Sequence, residues 1–258
     1  MQKLLLLLIT IIICLSSSAV ILKGKNFRGY NEKSETKTFN LSSFNTVKAS
    51  QSIEVEIVRS AKEKAVATST HMPELIIEVK DKTLFIRYKP NVSLQNVTTK
   101  VVVSAKDLVK AEAESASFIK VKDIFSNAEQ VFECRTAGKI YADSQSAVVN
   151  ISTENAGQFS GKIDVKELNV DINSAGIVTL NGSADHANIK ADSASSLDAG
   201  NLRIKTAKAS AVSASTITVS VSKELMAEAT SLAKIRYRTL SGIRFSATRK
   251  SGGTIDSF

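Results

Sequence analysis

The chain has 258 residues, a formal net charge of +9, 43% hydrophobic residues, 5% aromatics and no tryptophan. Two cysteines, Cys14 and Cys134, exclude a disulfide framework, and so few large side chains point to a thin core of aliphatics and alanines. The basic surplus suits steering toward anionic envelope polymers or phosphate-bearing lipids, but its dispersal and the lack of interleaved aromatics exclude nucleic acid as the expected partner.

In chain order, residues 1–22 form a targeting segment. Lys3 gives a short positive region, Leu4 to Leu15 an apolar run, and Ser17-Ser18-Ala19 a small-residue cleavage site after Ala19. Two alternatives stay open. Cys14 offers a lipidation site, though Ile13 stands where a small residue is expected, and the uncharged run from Leu4 to Leu22 is close to bilayer-spanning length. Membrane contact is expected only through residues 4–22, if that segment is not cleaved. Export follows in every case.

Residues 23–38 are polar and charged and read as a linker. From Phe39 the pattern alternates: Ile53, Val55 and Ile57 are separated by Glu54 and Glu56, and Lys80-Asp81-Lys82 joins residues 75–79 to residues 83–88 as a hairpin turn. Residues 39–110 are expected to be an N-terminal β region that caps the exposed end of a repeat stack.

From 111 to 240 one motif recurs: small-Ala-small, then an apolar residue two places on. Ser115-Ala116-Ser117 leads to Ile119, Thr136-Ala137-Gly138 to Ile140, and Asn155-Ala156-Gly157 to Phe159. Ser174-Ala175-Gly176 leads to Val178, Ser193-Ala194-Ser195 to Leu197, and Ser213-Ala214-Ser215 to Ile217. The alanines lie 21, 19, 19, 19 and 20 residues apart, and Leu232 takes the alanine place in a seventh copy that ends on Ile235. A fixed period of about 20 residues is the signature of stacked coils. Positions five and three before the alanine, and three and five after it, alternate with polar residues, so each repeat holds two short strands with one buried face. The expected fold is an all-β parallel solenoid of about seven coils, with small corners packed against those above and below. On that reading Val178→Asp is severe, Ala175→Leu overfills a corner, and Lys190→Ala is mild.

Two columns face outward. Asn150, Asn169 and Asn188 fall six places before the alanine in consecutive coils, where asparagine side chains can bond along a stack. Four places before it stand Glu112, Glu133, Ser152, Asp171, Lys190 and Ser210, which makes Asp171 and Lys190 neighbours one strand spacing apart. Residues 241–258, with Arg244, Arg249 and Lys250 beside Ser251-Gly252-Gly253, read as a fraying tail.

The Ser-Ala-Gly/Ser corners, the opening Phe44-Asn45-Thr46-Val47, the closing Lys234-Ile235-Arg236-Tyr237 and Ser251-Gly252-Gly253-Thr254-Ile255 resemble the bacterial putative auto-transporter adhesin family with a head GIN domain, a domain of unknown function. The resemblance spans about 39–258. It implies a right-handed parallel β-helix and an exported, envelope-associated protein, and it brings no catalytic residues.

The residues themselves offer no catalytic, cofactor or metal site. His71 and His186 lie far apart in sequence and in no metal-ligand spacing, and His186 reads as a solvated loop residue. No phosphate loop, nucleophile elbow or dinucleotide fingerprint is present. Cys134 falls in an inward column, where a free cysteine acts as a small hydrophobe. The expected function is a non-catalytic binding module for an envelope or host-surface ligand such as an anionic glycan. The alternatives are a purely structural periplasmic protein and a polysaccharide lyase or hydrolase, whose candidate residues would be Asp171 and Lys190.

Overall fold

Among the described residues, nine stacked corners share one conformation, which the hairpin turn at Asp81 and Lys82 also adopts. In the computed structural model, which describes residues 33–239 and 242–258, each corner places two consecutive residues in the left-handed region, as at Ser115 (φ 52°) and Ala116 (φ 60°). The amide after the pair donates back to the carbonyl before it, for example Gly138 to Arg135 at 2.9 Å. That is the geometry of a type I′ turn. The left-handed region costs a non-glycine residue roughly 1–2 kcal/mol, and it persists where surrounding structure over-determines it. Here a ladder does so: the amide of each corner's second residue donates to the first residue of the next corner. Ala116 donates to Thr136 at 3.0 Å, Ala137 to Asn155, Ala156 to Ser174, Ala175 to Ser193, Ala194 to Ser213 and Ala214 to Ser231, each of these five at 2.9 Å.

The third corner residue points inward and is Gly or Ser in seven of these nine corners, with Ile53 and Ala233 in the other two. A Cβ on Gly138 would stand 2.1 Å from the carbonyl oxygen of Ala113, and one on Gly157 2.1 Å from that of Cys134. Where Ser replaces Gly, its hydroxyl donates to the equivalent carbonyl of the preceding coil: Ser117 to Ala49 (2.8 Å), Ser195 to Ile172 (3.2 Å), Ser215 to Ala191 (2.8 Å). The second residue points out instead. Leu232 is 75% exposed in that place, so the alanine corners are not packed as expected and have room for a larger side chain.

The chain begins with β1 (Glu35–Asn40), β2 (Thr46–Ala49), β3 (Glu54–Arg59), β4 (Lys64–Ser69), β5 (Leu75–Lys80), β6 (Thr83–Tyr88) and β7 (Thr99–Ala105). The coils follow as β8 (Lys110–Glu114), β9 (Phe118–Val121), β10 (Glu129–Arg135), β11 (Lys139–Tyr141) and β12 (Val148–Glu154). Longer strands then run through the bend of each coil: β13 (Gln158–Ile172), β14 (Ile177–Ala191), β15 (Ser196–Ala211) and β16 (Thr216–Thr230). The last are β17 (Lys234–Thr239), β18 (Arg244–Lys250) and β19 (Thr254–Ser257).

From β8 onward each strand pairs in parallel with its counterpart one coil on. Ile119, Ile140, Phe159, Val178, Leu197, Ile217 and Ile235 lie opposite one another in an unbroken column, and each is at most 2% exposed. The columns of Ala111, Phe132 and Ile151 and of Ala113, Cys134 and Thr153 are buried likewise. A further inward column, seven places before the alanine, runs Gln130, Val149, Leu168, Ala187, Ala207, Leu225. The fold is an all-β solenoid, as the period predicts.

At the other end β2 and β3 form a corner of the same kind, with Gln51 and Ser52 in the left-handed region, and stack on β8 and β9. The chain then leaves the coil and returns: β6 lies parallel on β2 and β7 on β3, with β4, β1 and β5 antiparallel outside them. Residues 35–38, expected in a linker, therefore belong to a strand. Residues 241–258 are not a frayed tail either. Ser251 and Gly252 repeat the corner, β18 pairs with β16, β19 with β17, and Ile255 stacks on Ile235. Gly252 in place of alanine and the basic residues beside it conceal that coil in the sequence. No helix among the described residues is long and apolar enough to cross a membrane. Residues 1–22, expected to be a targeting segment, and Cys14 within them lie outside the described residues.

Candidate functional site

The strands that precede each corner present a flat outward face on which every second residue is displayed in register at about 4.8 Å per coil. The expected asparagine column is there: Asn150, Asn169 and Asn188 are register partners. Asn169 Nδ2 donates to Asn150 Oδ1 at 3.0 Å, and Asn150 in turn donates to Glu129. The chain of side-chain bonds stops there, since Asn188 makes none with Asn169. Asp171 lies directly opposite Lys190, as the spacing requires, yet no ion pair joins them among the described residues and both are exposed. Together with Glu133, these residues line an open depression of about 390 Å³.

Toward β2 the same column becomes a charge network. Glu112, expected on an outward position, is only 7% exposed because long side chains cover it. Lys48 Nζ stands 2.6 Å from it, Arg135 3.3 Å and Lys110 3.7 Å, while Glu133 holds Lys110 at 2.7 Å and Arg135 at 2.8 Å. Burial works against the charge on Lys48, but the hydrogen bond and charge of Glu112, with Glu114 behind it, outweigh burial and raise its pKa. Every carboxylate here has a cationic partner, so the network ties β2, β8 and β10 together.

Cys134 is fully buried, and burial pushes its thiol up to about 12. It stays protonated and inert near neutrality, as a small hydrophobe should. His186 is exposed but sits within β14 rather than in a loop, and His71 precedes a short 3₁₀ turn with its Nδ1 3.1 Å from Thr70 Oγ1. Among the described residues no group of three His, Cys, Asp or Glu side chains could hold a metal ion.

Sequence reading missed one polar cluster. Gln130 is 1% exposed, accepts from Ser144 and Ser146 at 2.5 and 3.0 Å, and donates to the carbonyl of Leu108 at 2.9 Å. It anchors the irregular segment between β11 and β12. The signal was available: a lone glutamine in a column otherwise filled by Val, Leu and Ala.

Solved structures share this arrangement. A putative adhesin from Parabacteroides merdae matches with a TM-score of 0.80 and 16% identity over 88% of this chain and 97% of its own. A putative lipid binding protein from Parabacteroides distasonis matches with a TM-score of 0.79 and 17% identity, covering 88% and 98%. A putative adhesin from Bacteroides fragilis matches at 0.61 with 19% identity, covering 88% and 97%. At these identities the likeness is one of fold. No curated protein matches the chain. The family model described as putative auto-transporter adhesin, head GIN domain, matches residues 43–239, and with its corners, columns and register in place the chain belongs to that family.

Proposed function

We propose that the protein is an exported, non-catalytic binding module of the cell envelope or cell surface. The observation that carries this reading is the corner ladder. It fixes a flat face whose amide, hydroxyl and charged groups repeat at strand spacing, so an extended ligand meets a surface that needs little ordering on binding. Membership of a family described as adhesins supports a surface binding role, and the net charge of +9 favours an anionic polymer, such as a glycan, through steering. The strands β1 and β4 to β7 close one end of the stack, where open strand edges would otherwise invite aggregation.

Retention of the full chain on immobilised anionic and neutral glycans tests the reading. The expected result is retention on the anionic polymer that weakens with salt and survives the double change Asp171→Ala and Lys190→Ala. Shortening of the polymer by the protein, abolished in that double variant, would establish the lyase or hydrolase instead. N-terminal sequencing of the exported chain tests the leader: Val20 as first residue supports cleavage after Ala19, and an intact Met1 in the membrane fraction supports an anchor.

A further inference from the structure

The coils are not all the same length, and the mismatch opens a cleft. Ala199 pairs with Val219, but the next partner pair is Arg203 with Ser220, so Gly200, Asn201 and Leu202 have no counterpart on β16. Serines take over part of the lost ladder: Ser220 Oγ donates to the carbonyl of Gly200 at 2.7 Å, and Ser222 Oγ to that of Ile204 at 3.2 Å. The bulge leaves a cleft of about 260 Å³, with Arg203, Ser220 and Arg238 at its outward side and the backbone of Gly200, Ile204 and Val221 beneath them.

The register makes the polar side specific. Arg203 is opposite Ser220, and Ser220 is opposite Arg238, so the two arginines stand two coils apart with only a small hydroxyl between them. Two strand spacings are about 9–10 Å, so both side chains rise from the sheet within reach of one oxyanion over Ser220. Three cations nearby have carboxylate partners, Lys205 with Asp185, Arg244 with Glu224 and Lys250 with Glu228, whereas Arg236, which shares the Phe258 ring with Arg238, has none among the described residues. Arg203 and Arg238 have no carboxylate partner among the described residues. The Phe258 ring lies 4.8 Å from the Arg238 guanidinium and 5.0 Å from that of Arg236, an attraction that holds Arg238 in place.

We propose that this cleft binds an oxyanion headgroup, phosphate or carboxylate, carried on a short apolar chain. Arg203 and Arg238 clamp the oxyanion across Ser220 with charge-assisted hydrogen bonds, and the chain lies along the bulged backbone over Ile204 and Val221, whose side chains stay in the core at 1% and 2% exposure. The volume is below the roughly 300–1,000 Å³ of drug-sized sites, so it fits a headgroup and a few carbons rather than a whole lipid. The cleft is separate from the asparagine face, and its occupancy does not depend on the envelope reading.

Calorimetric titration of the full chain with octyl phosphate, octanoate, inorganic phosphate and octanol, all below micellar concentrations, tests the site. Octyl phosphate and octanoate should bind saturably at one site, inorganic phosphate at least tenfold more weakly, and octanol not measurably. Arg203→Gln and Arg238→Gln should each weaken octyl phosphate tenfold or more. Ser220→Phe should abolish binding with the charge unchanged, and Lys250→Gln should have no effect. Circular dichroism confirms that each variant is folded; the two arginines are exposed, so their replacement leaves the core intact. Octanol binding as tightly as octyl phosphate, inorganic phosphate binding as tightly as octyl phosphate, or affinities that ignore both arginine changes would overturn the proposal.

Discussion

Residues 34–107 and the coils from 110 onward share the same parallel faces, yet they find their strand partners over different distances. Within the coils the partner lies about 20 residues along the chain, as Phe159 with Val178. In the N-terminal part Thr46 pairs with Thr83 and with Lys110, 37 and 64 residues away. Closing a loop of 64 rather than 20 residues costs about 1 kcal/mol more in chain entropy. The coils are therefore built from neighbour-to-neighbour increments, whereas the N-terminal part must be completed as one unit. Its edge strands are antiparallel and irregular in spacing, so the same face leaves a period in one half of the sequence and none in the other.

The strongest contrast comes from the middle of the coils. Val178 is fully buried, and Val178→Asp puts an unpaired charge in the continuous column at a cost of several kcal/mol. Because each coil contacts only its neighbours, the loss should split the melting transition into two, with Lys190→Ala as the silent control. A single wild-type-like melt for Val178→Asp together with collapse of the lysine variant would put the register off by one.

Gln130→Leu probes the irregular segment at the junction of the two regions. It strips two buried serine hydroxyls of their acceptor, while the Leu108 carbonyl keeps the Asn127 amide at 2.8 Å, so chemical denaturation should show a loss of about 1–3 kcal/mol. A change in the other direction is expected nearby. Thr153 Oγ1 is buried without a hydrogen-bond partner, and Thr153→Val removes that hydroxyl while keeping the shape. Stability should rise by about 1 kcal/mol, and a loss would mean the hydroxyl is bonded after all. The smallest effect belongs to the corners. Ala175→Leu copies what Leu232 already does on an exposed corner, so its melting temperature should stay within the shift that about 0.5 kcal/mol produces.

The legible and illegible parts of the sequence separate along the same line. The inward columns from Ala111 to Ile235 were readable because in-register stacking repeats one environment at each coil. The last coil was hidden because Gly252 fills the alanine place between Lys250 and Thr254, and β1 because all its residues but Phe39 are exposed, leaving no alternation to read. The network around Glu112 required knowing that Lys48 returns from 64 residues away, which no local pattern records. The cleft at Arg203 left a fainter trace. The spacing lengthens to 20 residues between Ala194 and Ala214 and shortens to 18 before Leu232, and a change of period marks a bulge.

Everything on the outward face depends on the ladder that joins the corners, and amide hydrogen exchange measures that ladder directly. Ala116, Ala137, Ala156, Ala175, Ala194 and Ala214 are exposed residues in tight turns, positions that ordinarily exchange quickly, but each of their amides donates to the next coil. Protection at these six amides should be comparable to that of Ile140 and Val178 in the core strands. Exchange at the rate of a free surface turn, with the core strands still protected, would contradict the ladder.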